Sequence, residues 1–306
     1  MMEVLIPILA GTLAAATPLI FAGLGELVAE KSGVMNLGVE GMMLVGAVAG
    51  FAGALAWGAP VGLVCGFLAG ALSALPFAFL TLSLGANQAA SGLATTIFGI
   101  GLSAFIGKFY VSHSLPGMQP FAIPGLSSIP VIGPVFFHQT PVVYLAFIAC
   151  AALAWMFACT RWGLILRAVG ESPEAAHAIG YPVLAIRYLT VGFGGAMAGL
   201  GGAYLSTIYT PLWVENMVAG RGWIAVALVV FAAWKPLRLL LGACLFGGMT
   251  ILQMHAQGLG VALPSQLLSA LPYVATILVL MLISRDRKKL QLNLPASLGK
   301  TFVPGE

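Results

Sequence analysis

The sequence predicts an all-α protein, a polytopic bundle of about 8–10 membrane-spanning helices in one domain, 1–306. Three observations carry that prediction. First, 60% of the 306 residues are hydrophobic and only 7% are charged, and mean hydropathy is +1.03. A soluble domain carries roughly 25% charged residues. Second, the apolar residues form long unbroken runs, not the alternating segments of about 10 residues that build a membrane barrel. Third, the 39 glycines match the enrichment of glycine in membrane helices.

A helix needs about 20 apolar residues to cross a hydrocarbon core of about 30 Å. The runs are 4–24, 37–57, 61–84, 89–110, 142–159, 188–209, 223–234, 237–254 and 267–283. Eight are long enough to cross. The run 223–234 reaches only about 18 Å as a helix, so it reads as a half-helix or as a helix extended through neighbouring polar positions. The first charge is Glu3, not the basic start of a cleaved signal peptide, so 4–24 reads as a retained span.

Charge orients the runs. Lys31, Arg161, Arg167, Arg187, Lys235, Arg238, Arg285, Arg287, Lys288, Lys289 and Lys300 fall on one side, and Lys108 and Arg221 on the other. The positive-inside rule places the 161–187 loop and the C-terminus in the cytoplasm. Nine crossings put the N-terminus outside; the parity depends on the short run. The longest external loop, 111–141, holds six prolines and Phe121, Phe136 and Phe137, whose rings want burial, and it reads as a shallow re-entrant lid. The net charge of +4 does not point to nucleic acid, because the basic residues sit at the ends of apolar runs. The four cysteines and four histidines lack metal-ligand spacing.

The loop 161–187 contains Gly170-Glu171-Ser172-Pro173-Glu174-Ala175-Ala176-His177-Ala178-Ile179-Gly180. Ser172 suits an N-cap and Pro173 the first helical position. Glu171 and Glu174 place negative charge at the positive end of the helix dipole. Gly180 suits a left-handed C-terminal cap, and Pro182 stops continuation. The result is a helix of about two turns, too short to stand alone in water. It docks either on its own bundle, as an ordinary interfacial helix, or on a cytoplasmic partner.

This stretch resembles the coupling loop of ABC-importer permeases. Ser32-Gly33-Val34-Met35-Asn36-Leu37-Gly38-Val39-Glu40-Gly41 resembles the N-terminal motif of permeases for nucleosides and simple sugars, relatives of the branched-chain amino-acid permeases, with a lean toward the nucleoside branch. Gly220-Arg221-Gly222-Trp223 and Trp234-Lys235-Pro236 are similar to the family's late helices, and Gly85-Ala86-Asn87-Gln88 fits as well, although Gln88 and Ala89 stand where Glu and Val are common. The resemblance covers about 26–285. It implies the ABC-permease fold and alternating access driven by a separate ABC ATPase. It also implies a second permease, identical or paralogous, and an extracytoplasmic substrate-binding lipoprotein. It assigns ATPase coupling to Glu171, Pro173, Glu174, Ala175, Ala176 and Gly180.

Polar side chains in a span are costly and become candidates for function by default. Asn36, Glu40, Asn87 and Gln88 carry the donors and acceptors that ribose hydroxyls and a base edge need, and they are the candidate substrate path; interhelical hydrogen bonding is the alternative use. Asn36 and Glu40 stack if their segment is helical. Glu40 reads as the sole intramembrane acid, which disfavours the rival reading, an ion-gradient-driven secondary transporter of small polar solutes. Gly195, Gly199 and Ala203 make a small-residue packing face, not a phosphate loop, since Met197 breaks GxGxxG. Gly299-Lys300-Thr301 imitates the end of a Walker A loop, but Leu294 replaces its first glycine. The chain therefore reads as a transport subunit that binds no cofactor or metal, with ATP used by its partner.

Overall fold

A computed structural model describes residues 2–258, 270, 274 and 293–302. In order, the helices are α1 (Met2–Lys31), α2 (Val39–Trp57), α3 (Ala59–Ala78), α4 (Gln88–Gly107), α5 (Ile132–Phe136), α6 (Pro141–Cys159), α7 (Arg161–Glu171), α8 (Pro173–Ala178), α9 (Val183–Tyr204), α10 (Arg221–Phe231) and α11 (Pro236–Gly258). Helices α3 and α9 each finish in a π turn, Phe79–Ser83 and Leu205–Tyr209. Among the described residues, seven helices are long and apolar enough to cross a membrane, and α10 is a shorter apolar helix. The expected half-helix at 223–234 is thus present, beginning two residues earlier. Of the apolar run 267–283 only residues 270 and 274 are described.

The bundle is organised around α1, α2 and α9, the most deeply buried of the spans. Helix α3 packs on α2 and α9, and α4 packs on α2. On the opposite flank α10 and α11 pack on α1, and α6 lies against α1 and α11. Lipid is as apolar as leucine, so close van der Waals contact and hydrogen bonding hold such helices together. The predicted face Gly195, Gly199 and Ala203 is half of the device. Helix α3 answers with Gly62, Gly66 and Gly70, and α2 with Gly46 and Gly50. A methyl group added at Gly66 would sit 2.9 Å from the Gly46 carbonyl oxygen and 3.1 Å from that of Gly199. Three backbones therefore meet where only hydrogen fits. Ser206 Oγ adds a bond across the seam, donating to the Ala47 carbonyl at 2.7 Å.

Helix α1 shows how buried backbone is kept paired. Pro18 lies inside the helix and has no N–H to give to the Ala14 carbonyl one turn earlier. The Tyr204 hydroxyl of α9 donates to that carbonyl at 3.2 Å. The helix also runs past the predicted end of its apolar run, carrying Glu26 and Glu30 into the bundle with exposures of 0% and 1%. Glu40 is therefore not the sole intramembrane acid. The apolar count stopped at Leu24, although the helical path did not.

Lys31, Arg167, Lys235 and Arg238 gather at one end of the bundle, called the basic end below. Helices α7 and α8 lie there. The segment 293–302 folds back onto them: Ser297 N and Oγ both donate to the Gly170 carbonyl, at 3.0 and 2.7 Å. At the far end, the segment between α4 and α6 forms a short antiparallel pair, β1 (Phe121–Ala122) with β2 (His138–Gln139). The expected burial of its aromatic rings is met only in part. Phe121 and Phe136 are exposed and Phe137 is half-buried. The anchor is instead Gln139, whose amide donates to Ala10 and Val135 carbonyls at 3.2 and 2.8 Å.

Candidate functional site: two helix breaks clamped by carboxylates

Two stretches of non-helical backbone lie inside the bundle. The first, between α1 and α2, is held by side chains from four helices. Glu26 Oε1 of α1 accepts the Asn36 amide at 2.8 Å. Asn36 Oδ1 accepts the Gly38 amide at 2.8 Å, and its Nδ2 donates to Met42 Sδ at 3.3 Å. Gln88 Oε1 of α4 accepts the Met35 amide at 2.8 Å, and Thr96 Oγ1 donates to the Leu37 carbonyl at 2.9 Å. From α9, Arg187 Nε donates to the Ser32 carbonyl at 3.0 Å. A break in lipid is tolerated only with such partners.

The second break follows α9. From its end the chain first pairs with the far-end loop, where Leu115 N donates to the Pro211 carbonyl at 2.9 Å. It then turns into the bundle. Trp213 is buried with Phe51, and Val218 is buried with Ala22, Val34, Val39 and Met42. Helix α10 begins there, capped by α2: Glu40 Oε1 accepts the Gly220 amide at 2.8 Å and Oε2 the Gly222 amide at 2.6 Å. Both carboxylate oxygens thus satisfy donors that a helix start leaves unpaired. The neighbouring Gly41 abuts Thr95 and Thr96, about 10 Å along α4 from Gln88. The α10 start therefore lies well inside the membrane, and Arg221 with it. Arg221 does not lie in an external loop as its position between runs suggested; its Nη1 donates to the Met217 and Val218 carbonyls at 3.1 and 3.2 Å.

The four predicted path residues fall into two groups. Asn36, Glu40 and Gln88 are buried, at 0%, 3% and 2% exposure, and apart from Asn36 Nδ2, which meets Met42 Sδ, their polar atoms point at backbone. Asn36 precedes α2, so it does not stack under Glu40 on one helix. Asn87 is exposed and caps α4, its Oδ1 accepting the Ala90 amide at 3.0 Å. What faces outward at membrane depth is the second break itself: Val214, Glu215, Asn216 and Ala219 are exposed. Asn216 (φ 56°), Ala219 (φ 49°) and Gly220 (φ 84°) take left-handed backbone, which is uncommon for a residue with a side chain. Irregular backbone at this depth belongs where it borders a water-filled cavity or another protein surface. Glu215 and Asn216 were missed as loop residues; the signal was the adjoining run, too short to cross alone.

At the basic end the capped helix forms as its sequence predicts. Ser172 Oγ accepts the Ala175 amide at 3.3 Å. Gly180 takes φ 94°, and Tyr181 N reaches back to the Ala176 carbonyl at 3.1 Å. Pro173 and Ala176 face the bundle, whereas Glu171, Glu174, Ala175, Ala178 and Gly180 are exposed, as is Ile179 at 73%. The 293–302 segment braces this helix: Phe302 meets His177 edge-on with ring centroids 5.8 Å apart. Arg187, buried at the start of α9 and not in a solvated loop, donates from Nη2 to Ser297 Oγ at 3.0 Å.

Residues 8–283 match the family described as branched-chain amino acid transport system permease component. A protein of Haloferax volcanii named "putative glucose ABC transporter permease protein" is 42% identical, covering 96% of this chain and 97% of its own length. A guanosine ABC transporter permease of Bacillus subtilis is 35% identical, covering 91% of this chain and 92% of its own. A nucleoside ABC transporter permease of Lactococcus lactis is likewise 35% identical, covering 90% and 91%. With a match over most of its length and the helix bundle to go with it, the chain belongs to the branched-chain amino acid transport system permease family and is a permease subunit of an ABC transporter.

Proposed function

We propose that this subunit imports a nucleoside or a simple sugar by alternating access, driven by ATP hydrolysis in a separate ABC ATPase. The observation that carries the reading is the exposed Glu215–Asn216 pair on non-helical backbone inside the membrane. A carboxylate and an amide there offer acceptors and a donor to sugar hydroxyls, and the half-exposed Trp223 offers an aromatic face to a ring. Relatives named for guanosine, nucleosides and glucose support that chemistry. In this reading Asn36, Glu40 and Gln88 serve the path indirectly, as brackets that hold the two breaks, and Asn87 sets the start of α4. A second permease, identical or paralogous, completes the path opposite 214–219.

The basic end faces the cytoplasm of the cell membrane. There the exposed face of α8, with Glu174, Ala175 and Ile179, docks on the ATPase, while Pro173 and Ala176 transmit the displacement to the bundle. Glu171 and Gly180 frame it. A substrate-binding lipoprotein delivers cargo at the far end.

The test is uptake of labelled guanosine and glucose into proteoliposomes holding the permease, ATPase and binding protein. Uptake that requires ATP and all three components is the expected result. Uptake without the ATPase, or uptake driven by an imposed ion gradient alone, overturns the reading in favour of a secondary transporter.

A further inference from the structure

At the basic end a cleft of about 470 Å³ opens between α1, α6 and α11. Its polar rim is Lys31, Arg167, Lys235 and Arg238. Its floor is apolar, with Phe157, Trp234 and Leu237 among the lining residues. A second cavity of about 350 Å³ shares Lys31, Arg167 and Asn293 with it and adds Glu171.

Among the described residues the four cations have few anionic neighbours. Lys31 Nζ donates to the Asn293 carbonyl at 2.9 Å and Arg167 Nε to the Gly163 carbonyl at 3.2 Å; both acceptors are neutral. Arg167 and Lys235 lie within electrostatic reach of Lys31, against Glu171 and Glu30. Glu30 is engaged already, accepting the Trp234 indole N–H at 2.5 Å. Three of the four cations, Arg167, Lys235 and Arg238, are exposed. They surround a cleft whose wall residue Leu237 is 60% exposed, at the level where apolar helices end.

A basic rim over an apolar floor at a helix end has the chemistry of a phospholipid site: cations for the phosphate, apolar wall for the first methylenes. We propose that this cleft binds the headgroup of an anionic phospholipid from the leaflet at the basic end. A soluble phosphate would gain nothing from the floor, and a zwitterionic lipid would bring its own cation into the crowded rim. The occupant bridges α1, α7 and α11, and thereby ties the helix that carries Glu26 and Glu30 to the α7–α8 unit.

The test uses the full-length chain in bilayer discs of phosphatidylcholine doped with phosphatidylglycerol that bears a photoreactive acyl chain. Labelling is expected at peptides from α6 and α11. It should fall about fivefold for each of Arg167→Gln and Lys235→Gln, and about 25-fold for the pair. The charge-keeping variants Arg167→Lys and Lys235→Arg should label as wild type, which separates lost charge from lost folding. Equal labelling by a photoreactive phosphatidylcholine, or undiminished labelling of the double variant, overturns the proposal. Displacement of the label by millimolar glycerol phosphate would instead make the cleft a site for soluble phosphate. Loss of ATPase binding with lipid labelling intact would make it a protein dock.

Discussion

Glu40 of α2 and Gly222 of α10 stand 182 positions apart in the chain and are joined by a hydrogen bond of 2.6 Å. The same carboxylate takes the Gly220 amide. One side chain therefore decides where the second break ends and where helix resumes.

Removing that clamp should loosen the bundle. Glu40→Ala leaves two buried amides without acceptors, at a cost on the order of 1–3 kcal/mol each. Glu40→Gln keeps one acceptor and should lose about half as much. Thermal unfolding of the purified chain in detergent checks the order wild type, Gln, Ala. Equal melting of all three would mean that α10 starts without help from α2.

Substitution on the exposed part of the break should behave differently. Asn216→Asp, which tolerates the same left-handed backbone, and Glu215→Gln touch no backbone bracket, so melting should stay within about 0.5 kcal/mol of wild type. The apparent affinity for transported substrate should weaken about 10-fold or more, the value of one or two lost hydrogen bonds. Transport titrations measure this; unchanged half-saturation in both variants would remove 214–219 from the path.

The glycine seam should tolerate nothing larger than hydrogen. Gly66→Ala drives a methyl toward backbone oxygens of two helices, and backbone cannot move aside as a side chain can. A cost of about 1–3 kcal/mol is expected, with loss of assembled protein for Gly66→Val. Gly101→Ala on α4 has no atom within 4 Å of the added methyl and serves as the neutral control. Yield of monodisperse protein reads the difference.

The exposed face of α8 should carry coupling and not stability. Glu174→Arg reverses a charge that lies outside the core, and Ile179→Asp removes an apolar side chain that is 73% exposed. Ile179→Asp should leave melting unchanged and Glu174→Arg should cost only about 1 kcal/mol, the worth of a charge at the α8 N-terminus, while ATP-dependent uptake falls severalfold relative to ATP hydrolysis in both. Simultaneous assays of uptake and hydrolysis in proteoliposomes check the ratio. Wild-type ratios would remove this helix from force transmission.

Membrane residence, the helical runs and the capped α8 were legible in the residues themselves. Each depends on neighbours within a turn or two: an unbroken apolar stretch, Ser172 before Pro173, Gly180 before Pro182. The small-residue face of α9 was legible for the same reason, but its partners were not. Gly46 and Gly66 are ordinary membrane glycines until the fold brings them against Gly199. The polar residues divided the same way. Composition singled out Asn36, Glu40 and Gln88; Asn36 makes a local turn onto the Gly38 amide two residues on, but only the tertiary structure directed Glu40 and Gln88 onto the amides of Gly220 and Met35. It also buried Glu26, Glu30 and Arg187 and turned 210–220 inward, so that Glu215 and Asn216 face the open space. The physical reason is that a polar group in hydrocarbon must find a partner, and local sequence records the need but not an address that lies 53 residues away for Gln88 and 180 for Glu40.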